Sequence, residues 1–310
     1  MGIVKTDIPM TAALCCQTID ALAEAYPVCR SRMLTRTAYG RPVKALVIGS
    51  GERQVLFTAA HHANEWITAP LLLKFAEELA AGIRSGRKIW GVDARKIGEL
   101  VTIHTVPMVN PDGVDLVTGG IPPDTLQFAA ARCLADSYPG IPFPEGWKAN
   151  LMGVDLNLQY PAGWLTAREI KFSAGYTRPG PRDYVGRAPL TQRESRALAE
   201  YTIAVDPRLV LAYHTQGQVI YWQFRDFQPP GARELAQEFA RVSGYRVEDV
   251  PYESSFAGFK DWFIQDFHRP GFTIEAGSGS NPLPIAQFDT IYRDNLGILV
   301  TAALGLPGGA

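Results

Sequence analysis

Five apolar, β-prone runs set between helix-forming segments most constrain what this chain can fold into. VKALVI (43–48) and QVLFTAA (54–60) flank the turn signal Gly49-Ser50-Gly51, as adjacent strands do. LVTIHTVPMVN (100–110), LVLAYHTQG (209–217) and GFTIEAGSG (271–279) each pass from strand-like residues into polar or glycine-rich ones. Among the helical patterns, residues 10–26 form a short amphipathic one that stops at Pro27. TAPLLLKFAEELAAGI (68–83) is helix-forming throughout, with Pro70 in its first turn, and 192–204 and 231–243 continue the theme. Strands alternating with helices predict an α/β protein, a single domain with a mixed, largely parallel β-sheet flanked by helices. In such sheets functional residues gather at the carboxyl ends of strands. The stretch 115–150 is rich in Gly and Pro but lies between strands of one expected sheet, so it reads as a surface excursion and not as a linker.

Composition excludes several classes. With 46% hydrophobic and 20% charged residues, the 310-residue chain can bury a full core. Thirty basic residues against thirty-one acidic ones leave no net field to gather nucleic acid or an anionic membrane. No run approaches the roughly 18 apolar residues of a membrane span. MGIVKTDIPMTAALCC lacks the basic and long apolar parts of a secretion signal, and a cytoplasmic location is expected. Met1-Gly2 with Thr6 fits the loose N-myristoylation pattern, which is short enough to arise by chance, and lipidation is not expected. Cys15, Cys16, Cys29 and Cys133 are too few and scattered to staple the domain, so reduced thiols are expected.

The chemistry turns on residues 61–70, HHANEWITAP, where a strand hands over to a helix. A catalytic zinc takes three protein ligands and keeps a fourth position for water. His62 and Glu65, three apart at the junction, and His214, ending another apolar strand, offer a His, Glu, His set. Taken singly, His62 is also accounted for as the polar start of a helix and His214 as a strand-end histidine bonded to backbone. Glu275 weakens those plainer accounts. It follows Phe272-Thr273-Ile274, and a carboxylate at the end of a buried strand is costly unless paired or working.

Several motifs together resemble the zinc carboxypeptidase family. HHANEWIT is similar to that family's first metal-binding segment, NPDG (110–113) to its turn, GVDLN (153–157) to its substrate-pocket segment, YHTQG to its third ligand, and FTIE to its catalytic glutamate. They occur in family order across about residues 35–300. The resemblance implies one zinc ion held by His62, Glu65 and His214, with Glu275 as general base and then acid. It also implies an N-terminal helical segment, residues 1–34, packed on a zinc peptidase catalytic domain, residues 35–310. His61 inherits no role and is either a support for the ligands or a packing residue.

Two departures matter. In GWKAN, Lys148 follows Trp147 where the family keeps an oxyanion arginine, giving a point charge without the planar fork. In GVDLNLQ, Asn157 is retained as a substrate-pocket residue, but Leu158 stands where an arginine grips the substrate's C-terminal carboxylate. WKANLMGVDLNLQYPAGW, PRDYVGRAPL, GFKDWFIQDF and EAGSGSNPLP are similar to the γ-D-glutamyl-L-diamino acid endopeptidase I group. That resemblance implies bacterial hydrolysis of peptidoglycan stem peptides. Wall-binding repeats, often present N-terminally in the group, are not seen here, so processing of soluble wall fragments in the cytoplasm is expected. Tyr252 falls near the family's mobile tyrosine. Lys260 falls near its specificity position, with a solvent-exposed lysine beside Asp261 as the plainer account. Arg182 and Arg187 lie on a loop that could meet an acidic substrate. An ordinary metallocarboxypeptidase, a zinc deacylase of N-acyl amino acids and a non-catalytic binder are the alternatives. A binder has no need of Glu275.

Overall fold

The computed structural model describes residues 2–305, so the Met1 half of the lipidation pattern and the last five residues of the expected catalytic domain lie outside the described residues. Among the described residues ten strands form: β1 Cys29–Arg36, β2 Pro42–Ile48, β3 Arg53–Ala59, β4 Lys88–Ile89, β5 Val92–Asp93, β6 Val101–Val106, β7 Leu209–His214, β8 Val219–Tyr221, β9 Arg246–Val247 and β10 Gly271–Glu275. All but the β4–β5 hairpin join one eight-stranded sheet in the order β1-β2-β6-β3-β7-β10-β8-β9. The centre, β6-β3-β7-β10, is parallel, whereas β1, β2 and β8 pair antiparallel to their inner neighbours.

Strand alternation builds two apolar layers. Val55, Phe57, Leu209, Leu211 and Phe272 point to one face, against helices α1 (Ala12–Ala25), α2 (Thr68–Ser85) and α3 (Ala94–Leu100). Leu56, Val210 and Ala212 point to the other. Helices α4 (Pro111–Thr118) and α5 (Leu126–Ala135) precede α6 (Trp164–Ser173) and α7 (Arg193–Val205). The chain then runs through α8 (Ala232–Ser243), α9 (Phe259–Phe267) and α10 (Phe288–Leu304). Leu198, Phe259 and Phe263 cover the second face, while Phe239 and Leu299 join the first. No helix of the described residues is long and apolar enough to cross a membrane.

The sequence-based helix limits agree with α1, α2, α7 and α8 to within two residues. Thr11 caps α1 by accepting from Leu14 N–H, and Gly86 ends α2 in the left-handed region at φ 70°. Two expectations need correction. The 115–150 stretch is no bare excursion, since α5 packs Ala131 and Ala135 on Trp147, Leu116 and Leu151 in a third apolar cluster. The boundary at 34/35 falls inside β1, which is hydrogen-bonded to β2 from Cys29↔Ile48 to Arg36↔Pro42. The first 34 residues are tied in further by Ala12 N–H donating to Asp115 Oδ1 (2.7 Å) and by Ile3 N–H donating to Glu77.

Candidate active site

The residues singled out for chemistry meet at the carboxyl ends of the parallel strands. After β3 the chain makes one 3₁₀ turn, Ala63–Glu65, with His62 extended at its start. His214 is the last residue of β7 and Glu275 the last of β10, and the register pairs them directly. Asn110 locks the neighbouring segments. Its side-chain amide donates to the carbonyls of His61, Lys148 and Ala149, joining the NPDG turn to both HHANE and WKAN. Gly113 is required in that turn, because a Cβ there would lie 2.4 Å from the Ala149 carbonyl oxygen.

His62 Nδ1 lies 2.9 Å from Glu65 Oε1 and 3.2 Å from His214 Nδ1, while His214 Nδ1 lies 2.8 Å from Glu65 Oε2. Ligating atoms of all three residues lie within 4.8 Å of one another, so the group could hold a metal ion. The surroundings fit that use. Asp155 Oδ1 lies 3.3 Å from His62 Nε2, placed to accept its proton, so Nδ1 is the nitrogen that faces the cluster and would ligate a cation that displaces its own proton. Two imidazole nitrogens and a carboxylate are the donor types of a catalytic zinc site.

The electrostatics favour a cation there. Burial works against a charge on His62, but Glu65 and Asp155 more than offset it and raise the imidazole to about 9. Burial likewise opposes charge on Glu65, yet His62, Lys148 and His214 hold its carboxyl well below the usual range. His214 is pushed down by burial, with Glu65 pulling the other way. Lys148 Nζ lies 3.1 Å from Glu65 Oε1, and despite burial that carboxylate keeps the ammonium raised. Half-buried Glu275 is pushed up to about 8, by loss of water first and by the like charge of Glu65 second. A cation bound at Glu65 removes the second cause.

The cleft has two lobes. A cavity of about 260 Å³ is walled by Asn157, Leu158, Lys171 and Lys260, and a more open one of about 610 Å³ by Ile141, Gly146, Ser280 and Asn281. Asn157 Oδ1 accepts from Phe259 N–H at 3.0 Å, anchoring the start of α9 to the cavity wall. Lys260 is 4% exposed, contrary to the solvent-exposed account, and its Nζ sits 2.5 Å from Asp261 Oδ1 and donates to the Gln223 carbonyl at 2.7 Å. Arg182 lines both lobes, with Nε donating to Asp183 Oδ2 at 2.6 Å, whereas Arg187 is exposed and lines neither. The structure does not bring Tyr252 into the cleft. It is 61% exposed and touches Phe256 edge-on at a ring separation of 5.1 Å.

Sequence reasoning missed Asp155, Lys171 and Tyr221. Asp155 carried the same clue as Glu275, a carboxylate between apolar neighbours Val154 and Leu156. Lys171 on α6 reaches Asp183 at 2.8 Å, a pairing visible only in the fold. His61 stacks on His214 at 5.8 Å and sits 3.2 Å from the Tyr160 hydroxyl through Nε2, which supports the His214 ring from behind.

The zinc carboxypeptidase family model matches residues 15–297. The chain is 43% identical over 282 residues to gamma-D-glutamyl-L-diamino acid endopeptidase 1 of Lysinibacillus sphaericus, covering 91% of this chain and 69% of that one. It is 37% identical over 283 residues to the uncharacterized protein YqgT of Bacillus subtilis (strain 168), covering 91% and 73%. Carboxypeptidase A from Helicoverpa armigera shares the fold at a TM-score of 0.71 and 18% identity, over 97% of this chain and 75% of that one. Matched by the family over nearly its whole length and with a relative above two-fifths identity, the chain belongs to the zinc carboxypeptidase family and is a zinc metallopeptidase.

Proposed function

We propose that the chain hydrolyses the bond between γ-linked D-glutamate and the diamino acid of peptidoglycan stem peptides. The observation that carries this reading is the makeup of the smaller lobe. Leu158 lines it where a carboxypeptidase needs an arginine to grip the terminal carboxylate, and the cations on its wall are instead Arg182 and Lys171, both paired with Asp183, and Lys260, paired with Asp261. A stem peptide offers groups to meet them, the free α-carboxylate of its D-glutamate and the polar end of the diamino acid. Arg182 is the better placed of the two loop arginines. Held by Asp183 through one edge, its guanidinium keeps terminal nitrogens for a second carboxylate. The likeness to the Lysinibacillus endopeptidase supports the same substrate class.

In this reading His62, Glu65 and His214 would hold the zinc, which would supply Lewis-acid chemistry to a water and to the scissile carbonyl. Glu275 takes the proton of the attacking water and delivers it to the leaving amine, and Lys148 faces the oxygen on which charge develops. Asp155 keeps His62 in its ligating tautomer. The substrate would be soluble fragments in the cytoplasm, with neither nucleic acid nor membrane as partner. The free cysteines and near-balanced charge support that setting.

Incubation of the zinc-loaded protein with L-Ala-γ-D-Glu-diaminopimelate should release L-Ala-D-Glu, detected by mass spectrometry. Blocked dipeptides ending in Phe, Leu, Lys or Arg should be cleaved negligibly. A higher kcat/KM on those dipeptides would restore an ordinary metallocarboxypeptidase.

A further inference from the structure

The two lobes of the cleft share five lining side chains, His62, Lys148, Arg182, Tyr221 and Glu275. A peptide running from one lobe into the other lays its middle across these five. Four of them have a task in the proposed hydrolysis, and Tyr221 has none.

Tyr221 ends β8, which lies antiparallel to β10 with Tyr221 opposite Thr273 and Val219 opposite Glu275. Opposed residues share a sheet face, as do residues two apart on a strand, so Tyr221, Thr273 and Glu275 form one row. All three line the smaller lobe. The half-buried ring is carried by a strand of the main sheet and not by a loop. Burial, and then the charge of Glu275, push its phenol up, so it remains a neutral donor through neutral pH. Tyr252, the tyrosine expected from the sequence, lines neither lobe.

We infer that Tyr221 is a catalytic residue, its hydroxyl donating a hydrogen bond to the scissile peptide group where the substrate crosses between the lobes. This rests on the proposed peptide hydrolysis and not on the γ-linkage. A strand-held hydroxyl needs no reorganisation as charge develops, so its bond strengthens in the transition state more than in the ground state. The phenol keeps its proton, and Glu275 carries the proton transfer.

Tyr221→Phe and Tyr252→Phe, made in the full zinc-loaded chain, separate the two tyrosines on L-Ala-γ-D-Glu-diaminopimelate. Tyr221→Phe should lower kcat roughly 10–100-fold, with KM within about twofold, and Tyr252→Phe should leave both nearly unchanged. Zinc per chain and Tm should not move in either variant. Tyr221→His, which keeps an N–H donor, should recover part of kcat. The inference is overturned by an unchanged kcat, by a loss confined to KM, by loss of zinc from Tyr221→Phe, or by a kcat loss carried by Tyr252→Phe instead. Failure of the wild-type protein to cleave the tripeptide would remove the substrate reading alone. The same variants are then compared on whichever blocked peptide the wild-type protein hydrolyses.

Discussion

Two carboxyl groups in this molecule are both raised by loss of water, and they sit in regions of opposite kind. Glu275 closes β10 at the floor of the cleft and is pushed up to about 8, with Lys148 and His62 pulling it down from the same space. Glu194, 2% exposed in the first turn of α7, is pushed up to about 7 by burial, its own backbone and Asn150 opposing and Asp112 adding to the rise. Asn150 Nδ2 lies 3.5 Å from Glu194 Oε1, and Glu194 lines neither lobe of the cleft. A raised pKa therefore does not by itself mark a catalytic group. Placement separates the two, because of this pair only Glu275 lines the cleft beside His62, Glu65 and His214.

The sharpest test of that contrast is Glu275→Gln. The amide keeps the shape and loses the proton carrier, so kcat should fall on the order of 10²–10⁴ while zinc content and Tm hold. Near-normal turnover would put Glu275 in the same structural class as Glu194. Lys148→Met comes next, with a kcat loss of about 10² and little change in KM, because the ammonium meets charge that develops only in the transition state. A raised KM with kcat intact would make Lys148 a ground-state contact. Asp155→Asn should then weaken zinc binding roughly 10–100-fold, measured by competition with a chelator. An unchanged affinity would mean that the 3.3 Å contact to His62 does not set the tautomer.

How much was legible in advance follows the same division. Residues that end strands were legible, because an apolar run breaking into His214 or Glu275 leaves its mark in the sequence, and the parallel sheet then brings such ends together. The wall of the smaller lobe was legible only in part. The sequence leaves Lys260 open to a plainer solvent-exposed account, and its burial escapes local pattern because the Gln223 carbonyl it donates to lies 37 residues away. Tyr252 and Tyr221 show why. Tyr252 falls near the family's mobile tyrosine along the chain, but its loop turns it to solvent, whereas Tyr221 reaches the cleft through the β8–β10 register, which no local pattern encodes. The pairing of β1 with β2, likewise set by register, carries the N-terminal segment into the main sheet.

Glu194 gives the smallest effect and tests the other half of the contrast. Its folded value of about 7 lies above the ordinary glutamate value of 4.5, so the folded state binds the extra proton between those limits. Stability from this group is thus fully present below about pH 4.5 and is lost as pH rises through 7. Glu194→Gln should be nearly neutral at pH 5 and should stabilise the protein by about 2 kcal/mol at pH 8, read from denaturant midpoints at the two pH values. Activity on any hydrolysed substrate should be unchanged. A variant that loses turnover at constant stability would place Glu194 in the catalytic machinery, and the distinction between a working and an idle buried carboxyl would have to rest on something other than facing the cleft.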